Sequence, residues 1–228
     1  MIIAALAIPP SFRVIPPIEA LQLNKQQTLL DDIAMQLRVQ GYSINAEAVP
    51  ASLAHALYQQ AKREQLRPAG IGRQQSHAVD RSVRKDSISW ITAESAAGAE
   101  WLVWADSLKV ALNRQLLLGL FSFESHFAHY PPGGFYKKHV DAFKGEANRV
   151  LSMVVYLNPQ WRDEDGGELV IYLEDGSSVK VAPRFATLVT FLSEEFPHEV
   201  LPAKADRYSI ACWFRMNSSH AGRVDPPR

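Results

Sequence analysis

The sequence predicts an α+β fold, with helices backing one sheet of a β-sandwich or barrel. In its first half, apolar residues recur at three-to-four spacing, which marks helices with one buried face. After Gly119 the texture changes to short runs of Val, Ile, Phe, Tyr and Leu punctuated by Pro, Gly and Asp, which marks successive strands. The length of 228 residues gives one well-buried domain and is too short for two with a linker. Helices followed by an uninterrupted set of strands is the α+β order.

The elements follow in chain order. Met1 to Pro10 is apolar, but it lacks a basic leading stretch and breaks at Pro9, so it reads as an extended segment rather than a signal peptide or membrane span. From Lys25 to Gln40, Leu29, Leu30, Ile33, Ala34 and Leu37 form one helical stripe, and Gly41 stops it. Ala51 to Gln65 repeats the pattern with Leu53, Leu57 and Ala61. Leu66 to Lys85 has no periodicity and reads as a long loop, a length that in a compact domain usually serves function. A third helix fits Ala99 to Leu118, carrying Trp101, Leu102, Leu108, Leu112 and Leu116. Strands are expected near Ser122–Tyr130, Tyr136–Val140, Arg149–Leu157, Glu168–Leu173, Val179–Val181, Thr187–Leu192, His198–Leu201 and Tyr208–Phe214. No repeat or low-complexity tail is visible.

Composition excludes several classes. Lys+Arg and Asp+Glu are 24 each, so no global charge draws the chain to nucleic acid or an anionic membrane. Cys212 is the only cysteine, which rules out an intramolecular disulfide and cysteine-rich zinc or iron–sulfur sites. A reducing, cytoplasmic setting is expected.

His139-Val140-Asp141 ends a strand-like run, and residues two apart on a strand share a face. Two histidines and one carboxylate on one side of an octahedral Fe(II) leave three positions open, as an oxygenase requires. His198 in Phe196-Pro-His-Glu-Val is the candidate third ligand. An isolated H-x-D pair is common by chance, so its company matters. The other histidines have no comparable company; His126 and His129, three apart, face opposite ways on a strand.

The last strand opens with Arg207. One face carries Arg207, Ser209, Ala211 and Trp213, a charge above small residues that leaves a slot for a carboxylate. The other carries Tyr208, Ile210, Cys212 and Phe214, an apolar face suited to helices. The adjacent Asp206 points the other way along the strand and is not the partner of Arg207. The strand from Arg149 is likewise two-sided: Ser152, Val154 and Tyr156 on one face, Leu151, Met153, Val155 and Leu157 on the other. Tyr156 is therefore a second candidate for the same carboxylate.

The segments Tyr130-PPGGFYKKHVD, Val155-Tyr-Leu-Asn, Asp165-Gly-Gly-Glu-Leu, Pro197-His-Glu-Val and Arg207-YSIACWF together resemble the prolyl-hydroxylase group of 2-oxoglutarate/Fe(II) dioxygenases, closest to the oxygen-sensing prolyl hydroxylases and their bacterial relatives. The resemblance spans roughly residues 80–215 and its motifs occur in order. It implies a double-stranded β-helix, of the jelly-roll or cupin kind, backed by the N-terminal helices. It implies Fe(II) held by His139, Asp141 and His198, and 2-oxoglutarate held by Arg207 with Tyr156 and Tyr130 assisting. Trp213 and Tyr136 would line the pocket around metal and target proline, and Arg149 matches a substrate-side arginine of the family. Arg149 lies seven residues before Tyr156, so it must sit ahead of the strand proper or across a bulge. Arg84-Lys-Asp86-Ser-Ile-Ser-Trp90 resembles the segment after a mobile substrate-covering loop, making Gly70 to Arg84 the cover and Arg84 and Asp86 its anchors. Residues 1–98 would then be helical support and covering loop, 99–216 the catalytic core and 217–228 a tail.

The activity so implied is hydroxylation of a peptidyl proline at C4, coupled to decarboxylation of 2-oxoglutarate to succinate, with O2 as cosubstrate and ascorbate as reductant. The partner would be a proline-containing protein or peptide, with a translation factor suggested by analogy; no membrane or nucleic-acid partner is expected. Two alternatives stand beside it: the same chemistry on a free amino acid, another residue type or a nucleic-acid base, and a non-catalytic metal-binding sensor.

Overall fold

In the computed structural model, residues 17–70, 80–142 and 148–217 are described. The extended segment at Met1 to Pro10, most of the expected covering loop and all of the expected tail beyond Asn217 lie outside them. Helix α1 (Pro17–Gln40) buries Leu30, Ile33, Ala34 and Leu37, the stripe read from the sequence. Gly41 ends it at φ 76°, where a side chain would also meet the Phe196 ring at 2.8 Å. Helix α2 (Ala51–Arg63) buries Leu53, Ala54, Leu57 and Ala61 on one face. Helix α3 (Ala96–Leu116) starts three residues before the expected Ala99, because the Ser95 hydroxyl accepts from the Gly98 N–H at 2.9 Å and caps it. No helix among the described residues is long and apolar enough to cross a membrane.

Eleven strands are described: β1 (Tyr42–Asn45), β2 (Arg67–Pro68), β3 (Ser87–Trp90), β4 (Leu120–Tyr130), β5 (Tyr136–His139), β6 (Arg149–Tyr156), β7 (Leu169–Tyr172), β8 (Ser178–Val181), β9 (Leu188–Leu192), β10 (His198–Val200) and β11 (Arg207–Met216). All eight expected strands are present, with ends shifted by a residue or two. Three others, β1, β2 and β3, lie within the half read as helical. Each is four residues or fewer, too short for alternation to register. The loop expected over Leu66 to Lys85 therefore begins with a strand.

The strands form two antiparallel sheets: seven in the order β1-β9-β6-β11-β4-β3-β2, and four in the order β5-β10-β7-β8. This two-sheet arrangement is the double-stranded β-helix expected from the resemblance. The long central strand β11 has β4 along one edge and β6 along the other, and pairing fixes which residues share a face. One face of the large sheet, with Leu151, Met153, Val155, Phe127, Ile210, Cys212 and Phe214, joins the helical residues Leu53, Leu57, Trp101, Leu108 and Leu112 in the main core. Trp101 satisfies its buried N–H on the Ser125 hydroxyl at 2.9 Å. The opposite face looks toward the small sheet, and Ala128, Tyr130, Tyr156, Val189 and Phe191 pack there with Leu169, Ile171, Val181 and Val200. The functional residues lie in the gap between the two sheets.

Candidate metal centre and cosubstrate pocket

Strand register builds the floor of the gap as rows across three strands. Trp213 of β11 lies between Glu124 of β4 and Ser152 of β6; Ala211 lies between His126 and Val154; Ser209 lies between Ala128 and Tyr156; Arg207 pairs with Tyr130. Paired residues in an antiparallel sheet project to the same side. The parity reading of β6 and β11 thus extends to β4, whose Glu124, His126, Ala128 and Tyr130 complete the floor. Strand β3 adds Ile88 and Trp90, paired with Ala128 and His126. The small sheet supplies the roof, with His139 of β5 and His198 of β10 paired to one another. The cavity between the sheets has a volume of about 280 Å³.

At one end of the cavity, His139, Asp141 and His198 bring one ligand atom each to within 4.8 Å of one another. The His139 and His198 Nε2 atoms stand 3.7 and 3.6 Å from the Asp141 carboxylate oxygens. Bonds of about 2.0–2.2 Å to one ion put neighbouring ligand atoms roughly 3 Å apart, so only a slight contraction is needed. Both histidines are oriented for this. Each Nδ1–H donates to a backbone carbonyl, His139 to Lys137 at 2.8 Å and His198 to Phe196 at 3.0 Å, which leaves Nε2 with a free lone pair.

The protonation states suit a cation. Burial, helped by neighbouring His198, lowers the His139 pKa to about 4, so the imidazole is neutral at pH 7. Burial would raise the Asp141 pKa, but the two histidines and hydrogen bonds from Ser152 and Trp213 outweigh it and hold the carboxyl low. The Ser152 hydroxyl donates to Asp141 Oδ2 at 2.6 Å and also meets the Ser193 hydroxyl at 2.9 Å. Two imidazoles and one carboxylate that all line the cavity fit a non-haem Fe(II) centre.

Deeper in the gap, Arg207 is 1% exposed. Its Nε donates to the Gly167 carbonyl at 2.9 Å and its Nη1 to the Ser209 hydroxyl at 3.2 Å. No carboxylate pairs with it among the described residues; Asp206 bonds His129 instead, at 2.6 Å. A buried guanidinium without an acid is costly unless an anion arrives. Beside it the fully buried Tyr156 hydroxyl lies close to the Arg207 guanidinium, and its own O–H finds no acceptor among the described residues. Burial pushes the phenol pKa up to about 12, against the opposing field of Arg207, so Tyr156 stays protonated and able to donate. Arg207 lies 4.9 Å from the Tyr130 ring centroid and 5.1 Å from that of Tyr156. The unpaired cation and the orphaned donor fit the distal carboxylate of a dicarboxylic oxo-acid whose other end reaches the metal.

The remaining expected residues are distributed around the cavity. Tyr136 stacks on His139 with ring centroids 3.6 Å apart, and the Arg84 guanidinium lies 4.3 Å from the Tyr136 centroid. Arg84 grips Asp86 with two hydrogen bonds of 2.7 and 2.5 Å, so it is a buried ion pair rather than a solvated turn. Arg84 also reaches the Gly70 carbonyl at 3.4 Å; the covering role expected of the segment between them falls mostly on residues outside those described. Arg149 reaches the cavity because the β6–β11 register shifts beside it, Phe214 pairing Leu151 but Arg215 pairing Arg149. The bulge resolves its odd spacing to Tyr156. Trp213 lies under Arg149, 3.9 Å from guanidinium to ring centroid.

Sequence reasoning passed over four contributors. Ser152 and Ser193 orient Asp141, Glu124 holds Arg149, and His126, set aside for want of company, is a buried wall of the cavity between Trp90 and Trp213, with ring centroids 5.3 Å from each. Parity along β4 from Tyr130 carried the signal for His126 and Glu124. Ser152 was on the right face but needed the fold to meet Asp141.

Comparison with known proteins bears on the same residues. Residues 125–215 match the model of the 2OG-Fe(II) oxygenase superfamily. Human Egl nine homolog 1 is 31% identical over 144 residues, 59% of this chain and 33% of that protein. Mouse prolyl hydroxylase EGLN3 is 32% identical over 159 residues, 65% of this chain and 66% of that protein. The chain thus spans a third of the human relative and about two thirds of the mouse one. A Pseudomonas putida prolyl-4-hydroxylase structure is 40% identical, with a TM-score of 0.76 over 83% of this chain and 100% of that one. A Trichoplax adhaerens prolyl hydroxylase, solved with a hypoxia-inducible-factor oxygen-degradation-domain peptide, is 28% identical with a TM-score of 0.76 over 86% and 92% of the two chains.

Proposed function

The chain belongs to the 2OG-Fe(II) oxygenase superfamily, within its prolyl-hydroxylase group, and from that premise we propose that it hydroxylates C4 of a peptidyl proline in a protein substrate, converting 2-oxoglutarate to succinate. The observation that carries this reading is the pairing of a His-Asp-His cluster with a buried, acid-free arginine in one cavity. When bound, Fe(II) with 2-oxoglutarate and O2 supplies the oxidising chemistry that inserts one oxygen atom into a C–H bond and releases CO2.

In this reading His139, Asp141 and His198 hold the iron, and Arg207 grips the distal carboxylate of 2-oxoglutarate. Tyr156 donates its phenolic proton to that carboxylate, and Tyr130 covers the guanidinium from the other side. Ser209 and Ala211 keep the slot clear. Tyr136 and Trp213 wall the target proline, and Arg149 meets the peptide. The Arg84–Asp86 pair fixes the base of the covering segment. These groups position substrates and exclude water. Ascorbate as reductant and a cytoplasmic location complete the reading; the latter is supported by a lone cysteine, buried and unpaired. A translation factor is the first protein partner to test, by analogy with the family.

The test is succinate release by the purified protein supplied with Fe(II), 2-oxoglutarate and a pool of proline-centred peptides, with mass spectrometry for added oxygen. Peptide-stimulated succinate and one oxygen on proline are expected. Oxidation of free proline alone, or no peptide-dependent turnover, would refute it.

A further inference from the structure

Outside the metal and cosubstrate groups, the cavity-lining Arg149 belongs to an ion cluster of its own. Glu124, on β4, presents its carboxylate to two arginines. Arg149 Nη2 donates to Oε1 at 2.8 Å, and Arg215 Nη1 lies 3.6 Å from Oε2. The Glu124 side chain is only 13% exposed, and those of Arg149 and Arg215 are 29% and 20%. Such a pair is far better shielded from water than a surface ion pair. Trp213 is the register partner of Glu124, and the Arg149 guanidinium that bonds Glu124 also lies over the Trp213 ring, 3.9 Å from its centroid.

An arginine held at one edge by a carboxylate and across one face by an indole has its remaining N–H groups fixed in direction. Of five donors, one is taken by Glu124 among the described residues. The residue lines the cavity, so the fixed guanidinium is available to whatever enters. A peptide around proline offers backbone carbonyls there, acceptors that a planar fork suits. Left alone, Arg149 would have several rotatable bonds and would lose that freedom only on binding.

We propose that Glu124 is a positioning residue for the peptide substrate: it holds Arg149 over the Trp213 ring so that the guanidinium meets a backbone carbonyl beside the target proline. The inference rests on the proposed prolyl-hydroxylase reading for the nature of its ligand. The Glu124–Arg149 lock itself does not.

Two measurements test it on the 228-residue chain. In the first, phenylglyoxal labels arginines and mass spectrometry reads the rate at Arg149. Glu124→Gln should speed labelling several-fold, and Glu124→Asp less; an unchanged rate would overturn the lock. In the second, peptide-dependent succinate release is measured with the same proline-centred pool for wild type, Glu124→Gln, Arg149→Met and the double variant. Glu124→Gln should raise the half-saturating peptide concentration about tenfold, well beyond any fall in kcat. In the Arg149→Met background it should add less than twofold, because the interaction it served is already gone. Independent, multiplying effects would mean that Glu124 acts elsewhere and would overturn the proposal. A wild type with no peptide-dependent turnover at all would sink the proposed function and the substrate half of this inference, while the labelling result would still decide the lock.

Discussion

Replacing Arg207 by methionine should move two quantities in unrelated ways, and their combination tests the cosubstrate pocket. Arginine has five N–H donors, and two are committed, to the Gly167 carbonyl and the Ser209 hydroxyl, leaving three. Two of these can grip one carboxylate. Hydrogen bonds to charged groups contribute about 1.5–3 kcal/mol each, so losing both costs about 3–6 kcal/mol of 2-oxoglutarate affinity. That corresponds to roughly a hundred- to ten-thousand-fold rise in the half-saturating concentration. Arg207→Lys keeps the charge but not the fork, and should cost about ten- to a hundredfold. Stability of the protein without cosubstrate should behave differently. Methionine keeps most of the stem but leaves the Gly167 carbonyl and the Ser209 hydroxyl without this donor, at about 1–3 kcal/mol each. The same change removes a buried cation that no acid offsets among the described residues, which relieves several kcal/mol. The terms nearly cancel, and Arg207→Met should denature in urea within about 1 kcal/mol of wild type. Saturating 2-oxoglutarate should then stabilise wild type by about 2.7 kcal/mol at a hundred times its Kd, and the variant hardly at all. Urea melts with and without 2-oxoglutarate, beside titrations of succinate release, supply all four numbers. A wild-type half-saturation in Arg207→Met, or a loss of about 3 kcal/mol without cosubstrate, would refute the reasoning, since the arginine would then be serving the fold.

Three further expectations follow from the same geometry. Ser152→Ala removes the hydrogen bond that orients Asp141 and should weaken metal affinity about 10–100-fold in a Co(II) titration, whereas His139→Ala or His198→Ala should abolish tight binding. Gly167 has φ 68°, and a Cβ there would lie 3.2 Å from Arg207 Cδ and 3.0 Å from Ala203 Cβ; Gly167→Ala should cost about 1–3 kcal/mol in a urea melt and raise the 2-oxoglutarate requirement, and wild-type behaviour in both would refute the crowding. His126 is fully enclosed, and burial lowers its pKa from 6.5 to about 4. The unfolded chain therefore binds more protons than the folded one between those values, and stability must fall as pH drops through that window. The His126 share is about 3 kcal/mol at most; His126→Leu should flatten the acid limb of stability between pH 6.5 and 4, and an unchanged limb would refute the assignment.

Much of this arrangement was legible because strands leave a period-two record. The alternation in β6 and β11 separated a helix-facing apolar side from a side with Arg207, Ser209, Ala211 and Trp213, and the sheets preserve that division. What alternation cannot carry is a change of register. Arg149 has the parity of the helix-facing residues Leu151 and Met153, and only the bulge beside it returns the side chain to the cavity. Nor could the sequence pair Glu124 with Arg149, 25 residues later, because the two strands are joined through β11 and not to one another. The short strands β1 to β3 were hidden for a related reason: each exists because a longer neighbour offers it an edge, a tertiary cause that local composition does not record.

The contrast between Arg84 and Arg207 shows which kind of buried charge points to a ligand. Both guanidinium groups are shielded from water, and both lie against tyrosine rings in the same cavity. Arg84 has its counter-ion built in, Asp86 two residues along, so its charge is settled by the fold and its removal would strand a carboxylate. Among the described residues Arg207 has a carbonyl, a hydroxyl and two tyrosine rings around it but no acid, and next to it the Tyr156 O–H finds no acceptor. A fold that gained nothing from this would lose little by carrying an apolar residue there. The arrangement is explained if stability is completed by an anion from outside, and the sequence hinted at it through parity alone: the nearest acid, Asp206, is the adjacent residue, and adjacent residues on a strand face apart. The acid that settles Arg207 must then arrive with the cosubstrate, which ties the occupancy of the metal cavity to the stability of the sheet that forms its floor.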